Sequence, residues 1–154
     1  MGFQFAETMA GTLELDSQPG VKRPFKFDIS AEALSTRDYL RDGKAQLRGV
    51  INAPPIADSA DAEGVITIRP IGQRIIRYEL QFLGDDGKPY ELVGQKDIRW
   101  TAPLRTFTYL PAEILDGQHR RIATCETTFD LRHHWWSFLR SWRPLRAPKP
   151  VAAR

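Results

Sequence analysis

The 154-residue chain has very little cysteine, since Cys125 is the only one. A lone cysteine excludes an intrachain disulfide and a zinc cluster built on cysteine pairs. Cys125 lies in the alternating segment RIATCETTF, where no neighbouring residue would lower the pKa of its thiol. A buried, unreactive side chain is therefore expected at this position.

Acidic residues are absent from the C-terminal segment 131–154, which holds six basic residues. These are Arg132, Arg140, Arg143, Arg146, Lys149 and Arg154. The preceding 130 residues carry 16 basic and 19 acidic residues, so the net charge of +3 is due to this segment. A body with a net negative charge disfavours a protein that coats nucleic acid, and no nucleic-acid partner is expected.

Long apolar runs and cofactor motifs are also missing. No stretch approaches the roughly 20 apolar residues that span a bilayer. The first residues, MGFQFAETMAG, lack the basic start and apolar run of a secretion signal, so a cytoplasmic location is expected. Neither a Gly-rich nucleotide-binding loop nor a G-x-S-x-G nucleophile motif occurs, and no catalytic residue or cofactor is assigned.

Alternation with a period of two is the dominant pattern before residue 131, and it is typical of half-buried strands. In the first segment the odd-numbered residues from Phe3 to Leu15 are apolar except at Glu7. Comparable alternation follows over 25–30, 44–51, 65–71, 76–82, 90–94, 104–115 and 120–130. GDDGKP and Asp116-Gly117 predict hairpin turns, whereas 52–64 is expected to be a looser segment.

About eight or nine short strands predict a mainly β, single-domain antiparallel fold. A closed β-barrel with lipocalin-like closure is the first expectation, because closure removes exposed sheet edges. A strongly curved sheet or a sandwich is the alternative. One short helix is predicted near 35–41, ended by a left-handed Gly43, and a second helix near 131–143. The domain then spans 1–143, with a basic, flexible tail over 144–154.

Charged residues on otherwise apolar strand faces indicate a site. If the sheet closes, Glu7 is expected to meet Lys96 or Arg99 inside the barrel or at its rim, because a buried carboxylate must be paired or neutral. Such a pair would either pin the strands together or anchor the polar head of an apolar ligand. Acid–base catalysis is less favoured, since no second paired group is evident. The ligand-binding candidates are Glu7, Tyr78, Lys96, Arg99, Trp100 and Tyr109.

The C-terminal segment LRHHWWSFLRSWRPLRAPKP combines histidine, tryptophan and arginine. Adjacent His133 and His134 would point about 100° apart on a helix, so no metal site is assigned. The apolar stripe predicts a helix that packs on the barrel. The arginine-rich side predicts peripheral contact with an anionic membrane, at the inner membrane face, or with a partner protein. The contact candidates are Arg132, Trp136, Arg140, Arg143 and Arg146.

Three short motifs carry a family resemblance: F-x-E-x-M-x-G at 5–11, D-x-L-R-D-G at 38–43 and G-x-K-D-(I/V)-R at 94–99. With LPAEIL, they resemble a β-rich accessory domain associated with bacterial cholesterol-oxidase-like flavoproteins of the glucose–methanol–choline class. The resemblance covers most of residues 3–115. It implies a stand-alone relative of an accessory module near lipid or sterol metabolism. It implies no oxidase activity, because the flavoprotein's dinucleotide fingerprint has no counterpart here.

The favoured function is a non-enzymatic barrel that binds an apolar molecule (lipid, fatty acid or sterol-like) or assists a lipid-metabolising enzyme. Aromatic residues in the alternating segments support it, although aromatic residues also fill ordinary cores. They are Phe3, Phe5, Phe25, Phe27, Tyr78, Phe82, Tyr90, Phe107, Tyr109 and Phe129. One alternative is a protein–protein interaction or oligomerisation module, such as a homodimer, without a small ligand. The other is an enzyme with a site around Glu7 and Lys96.

Overall fold

A computed structural model of the chain describes residues 2–33, 37, 41–69, 72–99, 101, 109–128 and 143–145. These residues form nine β-strands. In chain order they are β1 (Gly2–Leu15), β2 (Arg23–Ala33), β3 (Lys44–Ala53), β4 (Ala57–Arg69), β5 (Ile75–Leu83), β6 (Pro89–Asp97), β7 (Tyr109–Leu115), β8 (Arg121–Thr128) and β9 (Arg143–Leu145). No helix within the described residues is long and apolar enough to cross a membrane.

The first eight strands close into an antiparallel barrel. Each strand pairs with the next along the chain, and β8 returns to pair with β1 over Ala10–Leu15. β1 also pairs with β2 along Phe3–Leu13, so the sheet is continuous around the circumference. The short β9 adds to the beginning of β1, next to Gly2–Gln4. The structure thus confirms the predicted barrel and excludes the sandwich.

Period-two alternation places the apolar side chains inside this barrel. Along β2, for example, Phe25, Phe27 and Ile29 are buried while Lys26 and Asp28 are exposed. The largest fully buried side chains are Tyr78, Phe25, Phe27, Met9, Leu13, Leu47, Ile51, Ile66, Leu80, Leu92, Leu110 and Ile114. They come from every strand of the closed barrel except β8, which contributes the smaller Ala123, Cys125 and Thr127.

The two ends of the barrel differ. At one end, called the hairpin end, short turns join β1 to β2, β3 to β4, β5 to β6 and β7 to β8. The other end, where β1 begins, is called the N-terminal end. Along β2 the inward side chains become smaller toward the N-terminal end, from Phe25 and Phe27 through Ile29 to Ala31 and Ala33. The wall of the barrel formed by β2 is therefore lined by small residues at the N-terminal end.

The predicted hairpin turns are present. In GDDGKP the amide of Gly84 donates to the carbonyl of Lys88, and Gly87 has a φ of 75° that favours glycine. In the β7–β8 turn, Asp116 Oδ1 accepts hydrogen bonds from the amides of Gln118 and Arg120, at 2.9 Å each. Both turns use the acidic and glycine residues on which the sequence-based prediction relied.

Three glycines lie where neighbouring strands approach very closely. A Cβ added to Gly11, Gly49 or Gly64 would lie within 2 Å of a backbone carbonyl oxygen on the adjacent strand; these oxygens belong to Glu126, Asp28 and Glu79, at 1.9, 1.9 and 1.8 Å. Glycine within a strand permits such close contact and the strong coiling that barrel closure requires. These positions therefore depend on the absence of a side chain.

Segments 52–64 and 144–145 differ from their sequence-based predictions. The segment 52–64 is not loose: after a turn at 54–56, β4 begins at Ala57 and pairs with β3 from Ala53 onward. Its charged residues face outward, whereas Ala57 and Ala62 are buried. Residues 144–145, predicted to start the tail, belong to β9 and pair with β1.

The two predicted helices fall mainly outside the described residues. Near the end of the first, Arg41 and Asp42 have helical backbone, and Gly43 has the predicted left-handed conformation with a φ of 67°. Residues 34–36 and 38–40 lie outside the described part of the chain. Residues 131–142 of the second predicted helix (131–143) and the tail from residue 146 onward also lie outside it, whereas Arg143 begins β9.

Candidate functional site

A cluster of three polar side chains crosses the interior of the barrel. Lys96 Nζ lies 3.1 Å from Glu7 Oε1, and the Tyr78 hydroxyl donates to Glu7 Oε2 at 3.1 Å. Glu7 is on β1, Tyr78 on β5 and Lys96 on β6. In the sheet, β1 is adjacent to neither β5 nor β6. The contacts therefore join opposite walls of the barrel. We call Glu7, Tyr78 and Lys96 the interior cluster.

The interior cluster is almost completely removed from solvent. The relative exposures of Glu7, Tyr78 and Lys96 are 9%, 1% and 4%. At such burial each charge needs an opposite partner, and the ion pair predicted from the sequence supplies it. The ammonium of Lys96 also lies 5.2 Å from the centroid of the Tyr78 ring, within the range of a cation–π interaction. The cluster is thus a neutral unit with one negative and one positive charge.

Hydrogen-bonding capacity within the interior cluster is used unevenly. Both carboxylate oxygens of Glu7 accept, since Oε1 receives Lys96 and Oε2 receives Tyr78. The hydroxyl hydrogen of Tyr78 is committed to that carboxylate. A lysine ammonium has three N–H donors, and among the described residues Lys96 Nζ donates to Glu7 alone. Donor capacity on Lys96 is therefore left over inside the barrel.

Tyr78 is held in its neutral form. Burial raises the pKa of its phenol well above the ordinary value of 10.0, and the nearby charge of Glu7 and the hydrogen bond to it raise the pKa further. Ionised tyrosine would place a second negative charge next to Glu7 in a dry environment. Tyr78 thus acts as a fixed hydrogen-bond donor that orients the Glu7 carboxylate.

The raised pKa of Tyr78 predicts a loss of stability at alkaline pH. The unfolded chain releases the Tyr78 proton near pH 10, whereas the folded chain keeps it. The stabilisation that Tyr78 contributes is therefore complete below about pH 10, and above that pH it decreases by about 1.4 kcal/mol per pH unit. Tyr78→Phe removes the titrating group. The difference in free energy of unfolding between the two proteins, measured by urea denaturation, should therefore shrink between about pH 9 and pH 12. A constant difference would contradict a raised pKa.

The apolar surroundings of the interior cluster come from several strands. The ring of Phe27 contacts the Tyr78 ring at a centroid distance of 6.4 Å on the hairpin-end side. Ile66 pairs with Tyr78, and Ile76 pairs with Lys96. Sequence reasoning missed the small residues of β2 and β3 at the N-terminal end, such as Ala31. The decrease in side-chain size along β2 was the available signal. A few polar groups are thus set in an apolar wall.

The other ligand-binding candidates do not join the interior cluster. Arg99 is exposed just beyond the end of β6, and Trp100 lies outside the described residues. Tyr109 is 40% exposed, and its hydroxyl donates to Glu126 at 3.3 Å on the outer face. Tyr109 thus lies on the outer face, because β7 turns Leu110 and its alternate neighbours inward.

The pairing of β6 with β7 ends next to Lys96. β6 and β7 pair over only four rows, the last of which joins Gly94 to Ala112. Beyond that row β6 continues beside β5 to Asp97, whereas β7 continues beside β8. Pro111 lies in the part of β7 that does not pair with β6, and it has no backbone N–H to donate. An outer groove of about 550 Å³ lies over this separation. Lys96 is thus part of the stretch of β6 that lacks a β7 partner.

The remaining chemistry-bearing residues offer no second site within the described part of the chain. Cys125 is buried, and burial raises the pKa of its thiol to about 12, so the reactive thiolate is scarce. No group of three His, Cys, Asp or Glu residues among the described ones could hold a metal ion. Of the C-terminal contact candidates, Arg132, Trp136, Arg140 and Arg146 lie outside the described residues. For Arg143 only the backbone is described.

Comparison of the chain with protein-family models, with curated proteins and with solved structures gives no match. The relationship to accessory domains of cholesterol-oxidase-like flavoproteins therefore stays a prediction from the sequence. The closed barrel and its interior cluster are the basis for a proposal on function.

Proposed function

We propose that the protein is a non-enzymatic binding barrel. It holds an apolar small molecule, lipid or sterol-like, in the N-terminal half of its interior and thereby serves as a carrier or as an accessory module for a lipid-metabolising enzyme. The observation that carries the proposal is the interior cluster: among the described residues the buried Lys96 donates to Glu7 alone, whereas the single hydroxyl hydrogen of Tyr78 is already engaged. Ligand sites typically combine an apolar lining with a few well-placed polar groups.

The shape of the interior supports this proposal. Ala31 and Ala33 on β2 and Ala45 on β3 line one side of the N-terminal end, next to the larger side chains of the barrel interior. In this proposal the ligand lies against these small side chains, next to the interior cluster. An apolar molecule placed there would rest on Phe27 and extend toward the N-terminal end.

The end of the β6–β7 pairing supports a route by which the ligand enters the barrel. Within the described residues the β6–β7 ladder ends at Gly94 and Ala112, so a ligand that passes between these strands beyond that row would not interrupt the ladder. The passage would open next to Lys96. Contact with an anionic membrane or with a partner enzyme is assigned, as a proposal from the sequence, to the basic segment 131–154.

The enzyme alternative receives less support from the geometry. Glu7 and Lys96 neutralise each other at 3.1 Å in a buried pair, whereas an acid or base must be able to exchange a proton with a substrate. The charged residues that follow Lys96 in the sequence, Asp97 and Arg99, are exposed outside the barrel. The buried thiol of Cys125 is a poor nucleophile because of its raised pKa.

Native mass spectrometry of the delipidated full chain, mixed with fatty alcohols, fatty acids and sterols, tests the proposal. Uptake of at least one compound is expected. Ala31→Phe should abolish uptake by filling the small-residue end, and Val50→Phe, on the exposed side of β3, should leave it intact. If Ala31→Phe does not fold, Ala45→Leu is a second substitution that adds a smaller side chain at the same end of the barrel. No uptake by the unaltered chain, or equal uptake by a folded filled variant, would refute the proposal.

A further inference from the structure

We infer that the ligand presents a neutral oxygen acceptor, an alcohol or a carbonyl group, to Lys96 and not a carboxylate or an ammonium. This inference rests on the proposed function, because it specifies the chemistry of the same site. It follows from two properties of the interior cluster, its charge balance and its unused hydrogen-bonding capacity.

The charge balance of the interior cluster excludes a charged head group. Glu7 and Lys96 already cancel each other in a buried pair at 3.1 Å. Among the described residues, Thr127 is the other buried polar side chain, and its hydroxyl donates to the carbonyl of Leu110 at 3.2 Å. A ligand charge would therefore enter the dry interior without a counter-ion of its own, which is strongly unfavourable.

The hydrogen-bonding pattern decides between the neutral groups. Among the described residues, the free N–H donors of the cluster are those of Lys96, since the hydroxyl hydrogen of Tyr78 is committed to Glu7. Glu7 keeps some acceptor capacity as well, because a carboxylate offers about four lone-pair sites. A ligand atom that accepts a hydrogen bond can use the free donors of Lys96, which an alcohol, ester, ketone or aldehyde oxygen can do and an ammonium group cannot. A carboxylate can accept, but it fails on charge. Alcohols and carbonyl compounds satisfy both conditions.

The position of the ammonium is fixed from two sides. Glu7 holds Lys96 through the ion pair, and the face of the Tyr78 ring lies 5.2 Å from Nζ. The hydroxyl of Tyr78 in turn fixes the Glu7 carboxylate. A donor fixed in this way is already oriented before a ligand arrives, which favours binding because little side-chain freedom remains to be lost.

Binding of four probes with one common alkyl chain tests the inference. The probes are dodecan-1-ol, methyl dodecanoate, dodecanoic acid and dodecylamine at neutral pH, measured by calorimetry on the delipidated full chain. The alcohol and the ester should bind at least about tenfold more tightly than the acid and the amine. The ester and the acid form the sharpest pair, because they differ by one methyl group and one charge.

Charge variants of the interior cluster should change the ranking. Glu7→Gln leaves Lys96 without its counter-ion, so the affinity for dodecanoic acid should rise by about tenfold or more relative to the alcohol. Lys96→Met leaves Glu7 unpaired, so dodecylamine should gain instead. Glu14→Gln, the same substitution in an exposed ion pair with Lys22, should keep the original ranking.

The outcomes separate this inference from the proposed function. If none of these probes and no lipid in the broader screen binds, the proposed function fails. If the acid or the amine binds as tightly as the alcohol and the ester, the inference fails while the proposed function stands. A folded Glu7→Gln variant without a gain for the acid also overturns the inference. The ranking on the unaltered chain decides the question even if a charge variant does not fold.

Discussion

Replacing Lys96 by Met should lower the free energy of unfolding by about 3–5 kcal/mol, because the Glu7 carboxylate would stay in the interior without its partner. Glu7→Gln should be similarly harmful, since it leaves the ammonium buried and unpaired. The double variant should recover most of the loss, because no uncompensated charge remains. Urea denaturation of the four proteins, followed by circular dichroism, measures this coupling as a double-mutant cycle.

An exposed pair of the same chemistry provides the control for this cycle. Lys22 and Glu14 are 2.7 Å apart, closer than the buried pair, but their side chains are 56% and 26% exposed. Lys22→Met and Glu14→Gln, singly and together, should leave the denaturation midpoint nearly unchanged, because water replaces the lost partner. If Lys96→Met were as mild as Lys22→Met, the ion pair across the barrel would not exist in solution.

Replacing Gly64 by Ala should destabilise the barrel by about 3 kcal/mol or more, since the added methyl group cannot be accommodated without moving a strand. The new Cβ would lie 1.8 Å from the carbonyl oxygen of Glu79 on β5, and a backbone atom cannot rotate away. The expected result is a large decrease in the midpoint of thermal or urea unfolding, with a native-like spectrum at low temperature if the protein still folds.

Gly94→Ala is the matched control for Gly64→Ala. A Cβ at Gly94 would meet the side chains of Leu110 and Ala112 at 3.0 and 3.1 Å. These are side-chain atoms, and Leu110 can adjust its rotamer, so the loss of stability should be clearly smaller than at Gly64. Equal losses at both positions would show that the close approach of β4 and β5 is not what makes Gly64 necessary.

The barrel could be predicted from the sequence because alternation is a local property. In each of the segments around Phe27, Tyr78 and Leu92, the alternation of apolar and polar residues alone indicates which side chains face inward. The start of β4 was missed because Ala57, Asp58 and Ser59 have low strand propensity, and cross-strand pairing with β3 overrides that preference.

The interior cluster was only partly predictable. Glu7 stood out as the one charge on an apolar face, and Lys96 was expected to be a partner. Tyr78 was named as a ligand-binding candidate, but its hydrogen bond to Glu7 could not be derived, because the contact depends on the tilt and stagger of strands around the closed barrel. The same geometry decides which alternate residues of β7 face inward, and it places Tyr109 on the outer face.

The ion pair between Glu7 and Lys96 joins residues 89 positions apart, and the β1–β8 ladder pairs Ala10 with Thr128. Contacts of such long range form late in folding, because the cost in chain entropy comes before the gain in contact energy. During synthesis, β1 must wait for its last partner until nearly the whole barrel has been made. The interior cluster is thus completed by the step that closes the barrel, and truncated chains that end before β8 should lack the proposed ligand site altogether.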